Sequence, residues 1–202
     1  MKGSMRKQDL DQDPFRQFGL WMEQAINSEV QEPTAMALST VGEGGHPSCR
    51  MVLLKAFDEN GFQFYTNYES RKSKEIAKNP FASLLFFWKE LERQVRIEGS
   101  VVKLPAVDSD EYFALRPRDS QVGAWASPQS EIIQSRAELD SLWVSRDLAF
   151  RDREIPRPPH WGGFVLQPSY FEFWQGRENR LHDRFAWQRA ENDLWEICRL
   201  AP

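Results

Sequence analysis

Four clusters of charged and polar residues could do chemistry in this chain, and all four suit the handling of anions. The segment Arg50-Met51-Val52-Leu53-Leu54-Lys55 places two cations around four apolar residues in a run that otherwise reads as a strand. A charge in such a run must be paired or solvated, because burying it alone costs several kcal/mol. Ideal alternation puts Arg50 and Lys55 on opposite faces, their separation being odd. For both to serve one site, the strand must twist, bulge or lie along the ligand. The second cluster, Arg71-Lys72, stands at the start of a helix predicted over SRKSKEIAK. Cations there oppose the positive end of the macrodipole, and a bound phosphate would resolve the conflict. Solvated surface charge satisfies the same residues equally well.

The third cluster sets Tyr112 shortly before Arg116, Arg118 and Ser120. Guanidinium and hydroxyl donors together make a cradle for phosphate or an oxyanion. In the fourth, EFWQGRENRLHDRF, the residues Arg180, His182 and Arg184 alternate. On a strand they would share one face, with Leu181 and Asp183 on the other. Beside Phe173 and Trp174 that face suggests a pocket wall on which a flat ring stacks.

The elements that must position these clusters are mostly short strands. Asp13-Pro14 is an N-cap followed by proline at the first helical position. Phe15, Phe18, Trp21, Met22, Ala25 and Ile26 then recur at helical spacing, which predicts a covering helix. From Thr34 the texture is β-like: AMALSTV, CRMVLLKAF, FQFYTN, FASLLFFW and RQVRIEGSVVKL, with GEGG and Asn60-Gly61 as turn signals. Residues 106–153 read as three helices and REIPRPPH as a stiff connector. Strands return in WGGFVLQPSYFEFWQG, RFAWQRA and DLWEICRL. This succession favours a mainly β, α+β architecture, an antiparallel barrel with peripheral helices.

Composition removes several classes. The net charge of −4 supplies no global field for nucleic acid or anionic membrane. His46, His160 and His182 are scattered and neither Cys49 nor Cys198 lies at metal-ligand spacing, so no metal site is expected. GEGG lacks the lysine of a phosphate loop, and no G-x-S-x-G elbow occurs. Two distant cysteines, a polar N-terminus and no long apolar stretch predict a reduced, cytoplasmic protein. Eight Trp and fourteen Phe suit a bulky core, a large interface or a flat aromatic ligand.

The motifs RMVLLK, FYTN, ESRKSKEI, NPFASLLFFW, ERQVRIEG, YFALRPRDSQVGAW, WGGF, EFWQG and NRLHDR occur in order over nearly the whole chain. On these the sequence closely resembles the pyridoxine/pyridoxamine 5′-phosphate oxidase family. Residues 1–13 carry no apolar periodicity, which predicts a mobile segment, and the resemblance implies an FMN-binding split β-barrel over residues 14–202. It also implies a homodimer with FMN at the subunit interface. It assigns FMN to Arg50, Met51, Val52, Leu53, Leu54, Lys55, Tyr65, Thr66, Arg71, Lys72, Gln94, Gln129, Ser130, Trp174 and Arg184, part of the set coming from the partner. Substrate phosphate falls to Lys55, Tyr112, Arg116 and Ser120, while Arg180, Leu181 and His182 lie against the pyridine ring. Arg180 and His182 are the expected catalytic pair. The implied reaction passes a hydride from the substrate's C4′ to flavin N5, and O2 is then reduced to hydrogen peroxide. Two alternatives stand beside it: a phenazine-biosynthesis-type flavin oxidase of the same fold, and a non-catalytic module binding flavin or pyridoxal phosphate.

Overall fold

A computed structural model describes residues 5–190 and 194–202. The chain begins with helix α1 (Pro14–Asn27), capped by the Asp13 side chain, which accepts from the Phe15 N–H at 2.9 Å. Four strands follow: β1 (Ala35–Val41), β2 (Pro47–Leu53), β3 (Ala56–Asp58) and β4 (Gly61–Asn67). Helix α2 (Arg71–Lys78) leads to β5 (Phe81–Trp88) and β6 (Arg93–Lys103). Three helices, α3 (Ala106–Ala114), α4 (Arg118–Ala126) and α5 (Arg136–Ala149), precede β7 (Trp161–Gln175), β8 (Asp183–Arg189) and β9 (Trp195–Leu200).

All pairings are antiparallel, in the order β2-β1-β5-β6-β7-β4-β3, with β8 on β7 and β9 on β8. The sheet branches at β7. Its first part pairs with β4 and its last part with β8, while β6 runs along both. A bulge between Glu98 and Gly99 lets β6 follow this bend. Gly99 is required there, since a Cβ would lie 2.0 Å from the Gln167 carbonyl oxygen. GEGG forms the β1–β2 turn, where Gly44 and Gly45 have φ of 78° and 79°.

Aromatic burial closes the barrel. Phe18 of α1 meets Phe57, Phe62 and Phe86 edge-on at 4.9, 4.9 and 5.0 Å. Phe64, Trp88, Phe171, Phe173, Phe185 and Trp187 are also almost wholly buried. The aromatic surplus is therefore largely core. Phe81 and Phe87 are the exceptions on β5: they stand exposed on the outer face. A smaller core of Phe113, Val122, Ile155 and Trp161 seats α3 and α4 against the first part of β7.

Two local readings are corrected. The run CRMVLLKAF is not one strand: the Leu54 N–H donates to Thr34 and the Lys55 N–H to Gln63, so the chain leaves β1 and joins β4 between β2 and β3. Arg180 and His182 do not alternate with Arg184 on a strand. Glu178–Arg180 form a 3-10 turn in which Asn179 and Arg180 have φ of 58° and 61°, and β8 starts at Asp183. In the segment expected to be mobile, Met5 and Leu10 are buried, and the Met5 N–H donates to Asp183 Oδ2 at 3.1 Å. Residues 1–4 of that expectation lie outside the described residues.

Candidate active site

A cleft of about 1050 Å³ opens between the β2 and β4 edge, α2, and the α3–α4 flank. The break at Leu54-Lys55 resolves the parity problem, because Arg50 and Lys55 both line this one cleft. Met51, Val52, Leu53, Tyr65, Thr66, Arg71, Lys72, Gln129 and Ser130 line it too, as do Tyr112, Arg116 and Ser120. Leu54 does not; it is buried in the core. Arg118 also stays out, its guanidinium pairing with Asp147 of α5.

Among the described residues the lining contains five cations, Arg50, Lys55, Arg71, Lys72 and Arg116, and no carboxylate. Behind it sits one buried acid, Glu75 of α2. Its Oε2 accepts from Thr40 Oγ1 at 2.5 Å and Ser48 Oγ at 2.6 Å, and lies 3.3 Å from Arg50 Nη2. Its Oε1 accepts from Arg71 Nε at 2.8 Å. Arg50 also donates to Thr40 Oγ1 at 2.6 Å, to the Leu38 carbonyl at 3.1 Å and to Ser48 Oγ. Burial opposes ionisation of Glu75, but the hydrogen bonds from Ser48, Thr40 and Arg71, with the charge of Arg50, hold its carboxyl at about 2.

Lys72 Nζ donates to Thr66 Oγ1 and Gln129 Oε1, both at 2.9 Å, tying α2 to β4 and to the loop before α5. Burial, and then the charge of Arg50, pull this ammonium down to about 8. Next to Gln129, Ser130 adopts φ of 74°, a left-handed conformation that costs a non-glycine residue energy and often marks a functional loop.

On the helical flank, Tyr65 and Tyr112 stack at 3.9 Å between centroids, and Trp161 lies nearly parallel to both. The Arg116 guanidinium rests 4.6 Å from the Trp161 ring centre, with a buried Nη1 that has no hydrogen-bond partner. An orphaned guanidinium N–H and a crowded ammonium are what a phosphate monoester would satisfy. The donor set therefore fits phosphorylated ligands.

The remaining expected residues lie elsewhere on the protomer. Register pairing joins Phe87, Gln94, Trp174 and Arg184 into one row across β5, β6, β7 and β8, on the face opposite the core. Arg184 Nε donates to Glu172 Oε1 at 2.8 Å. His182 packs on Trp174 at 4.6 Å, and its Nδ1 accepts from the Arg177 N–H at 3.1 Å. Arg180 and Leu181 are exposed beside them. Trp161, Asn67 and Glu75 were missed in the sequence. Only Glu75 carried a signal, as the i+4 partner of Arg71.

An antiparallel sheet that branches at one long strand, with a cation-lined cleft on its helical flank, defines a split β-barrel. Residues 22–141 match the family model described as pyridoxamine 5′-phosphate oxidase. Residues 161–202 match the one described as pyridoxine 5′-phosphate oxidase C-terminal dimerisation region. The chain belongs to the pyridoxamine 5′-phosphate oxidase family. It is 54% identical over 201 residues to a pyridoxine/pyridoxamine 5′-phosphate oxidase of Paraburkholderia phytofirmans, covering 99% of this chain and 94% of that one. A protein of the same name from a Cyanothece species is 52% identical over 199 residues, covering 98% and 93%. Among solved structures, PhzG from Burkholderia lata, in complex with tetrahydrophenazine-1-carboxylic acid, aligns with a TM-score of 0.92 at 30% identity over 98% of each chain. A pyridoxamine 5′-phosphate oxidase-related, FMN-binding protein from Nostoc punctiforme aligns at 0.74 and 17%, covering 94% of this chain and 98% of that one, and shares the fold.

Proposed function

We propose that this chain oxidises pyridoxine 5′-phosphate or pyridoxamine 5′-phosphate to pyridoxal 5′-phosphate as a homodimer with FMN. The observation that carries the reading is the single cleft lined by five cations and walled by stacked aromatics. Arg50, Arg71 and Lys72, with Thr66, Gln129 and Ser130, would hold the FMN phosphate and its neighbourhood. Lys55, Tyr112, Arg116 and Ser120 would hold the substrate phosphate. FMN held by these residues would supply the two-electron acceptor for hydride from the substrate's C4′, with O2 as the final oxidant and hydrogen peroxide as its product.

The protein's own part is binding and orientation. Grip on a phosphate remote from the reacting carbon fixes the geometry of the ring. Gln94, Trp174 and Arg184 are drawn from a second protomer in this reading, which is supported by their common row on the outer face and by the match of residues 161–202 to a dimerisation region. Arg180 and Leu181 would come with them and lie against the pyridine ring. Arg180 positions that ring. His182 accepts at Nδ1 from backbone, which leaves Nε2 to hold or move a proton of the alcohol or amine.

The test is peroxide production by FMN-loaded protein with pyridoxine 5′-phosphate, pyridoxamine 5′-phosphate and unphosphorylated pyridoxine. Turnover of both phosphates, with pyridoxine far slower, is expected. A protein that rejects FMN, or binds the phosphates without forming peroxide, would overturn the reading.

A further inference from the structure

We propose that Glu75 is a positioning residue that selects for the phosphate of the flavin, by holding Arg50 and Arg71 side by side at the cleft wall. This rests on the FMN reading above. Three elements meet at the carboxylate: Thr40 from β1, Ser48 and Arg50 from β2, and Arg71 from its own helix. Each oxygen takes a different arginine, so the two guanidinium groups are tethered to one anchor. Glu75 is only 7% exposed and is absent from the residues lining the cleft, so it acts from behind the wall.

Physical chemistry makes this arrangement directional. Two arginines and Lys72 repel one another when the cleft holds no anion, and unrestrained side chains would swing into water. A buried carboxylate cancels part of that repulsion and removes rotamer freedom before the ligand arrives, which lowers the cost of binding. Its negative charge does not face the ligand, because both oxygens are already occupied by donors. Arg71 shows the effect most plainly: its side chain is 66% exposed, yet its Nε is fixed at 2.8 Å from Glu75. The benefit favours a ligand carrying a phosphate, since two guanidinium groups held side by side match a doubly charged anion and gain no ionic partner from an uncharged ring.

The experiment compares FMN with riboflavin, which lacks the phosphate, by fluorescence titration of the apoprotein. Glu75→Gln should weaken FMN by about ten- to hundredfold, the range for charged hydrogen bonds, while riboflavin affinity changes less than about twofold. Equal losses for both ligands would mean a purely structural role and would overturn the proposal, as would unchanged FMN affinity. If Glu75→Gln does not fold, Thr40→Val is read in its place. It removes one donor to Glu75 and one acceptor from Arg50, and a smaller loss confined to FMN is expected; no selective loss would overturn the proposal. Wild-type protein that bound neither ligand would instead sink the FMN reading itself.

Discussion

The Arg116 guanidinium lies 4.6 Å from the centre of the Trp161 ring, and Trp161 in turn lies within 5° of parallel to Tyr112. Burial lowers the pKa of Arg116 below the ordinary arginine value, so the charge is held where water is scarce. An indole face is a good seat for such a cation. Trp161→Leu should raise KM for the phosphorylated substrate about three- to thirtyfold, the equivalent of one partly desolvated cation–π contact. The kcat should stay within about twofold, because Trp161 does not face the reacting carbon in this reading. Steady-state peroxide assays separate the two parameters.

Lys72 gives a pH signature. Its folded-state value near 8 lies below the ordinary 10.5, so the folded apoprotein releases this proton more readily than the unfolded chain does. An anion at Lys72 requires the ammonium, and binding therefore takes up a proton once the pH exceeds 8. FMN affinity should fall as pH rises through 8, by up to about tenfold per unit. Lys72→Met should bind more weakly at pH 7 and lose most of that slope. Titrations between pH 6.5 and 9.5 would check this; an unchanged slope in the variant would remove Lys72 from the phosphate site.

Glu75 sets an acid limit with the opposite sign. Its carboxyl is depressed from 4.5 to about 2, so the stability it contributes is complete above 4.5 and is lost as pH falls towards 2. Apoprotein of wild type should exceed Glu75→Gln by up to about 3 kcal/mol at neutral pH. The gap should close between pH 4.5 and 2, as measured by urea unfolding at each pH. A gap that stayed constant through that window would exclude ionisation as its source.

Gly99→Ala should destabilise the fold without touching the site. The added methyl would press on the Gln167 carbonyl at the β6 bulge, and overpacking of this kind costs about 1–3 kcal/mol. A lower denaturation midpoint with unaltered FMN affinity is the expected pair of results.

Phe87 tests the assembly. It is 58% exposed and in register with Gln94, which pairs with Trp174. With that row buried between protomers, as proposed, Phe87→Glu should give monomers on size-exclusion chromatography and lose FMN. A stable dimer that retains flavin would place the interface elsewhere.

Much of this was readable beforehand, for identifiable reasons. Period-2 patterns in FASLLFFW and RQVRIEGSVVKL became β5 and β6, and Asp13-Pro14 opened α1, because local signals and burial agree there. Alternation failed at Arg50 and Lys55, since a change of pairing partner is a tertiary event with no local mark. It failed again at Arg180 and His182, where a left-handed turn replaces the strand. The cleft cations were visible as types and spacings. Trp161 was not, because a buried tryptophan opening a strand looks like core until its neighbours are known.

The fifteen-residue β7 is bonded to β4, β6 and β8, so it belongs to both lobes of the sheet. Opening the sheet between its β4 and β8 ends would have to bend β7 and strain its ladder with β6, which makes a clam-shell opening costly. The helical flank rests on its own small aromatic cluster, and α5 contributes no buried side chain to it. Breathing of that flank is the cheaper gate, and traffic into the cleft should follow it.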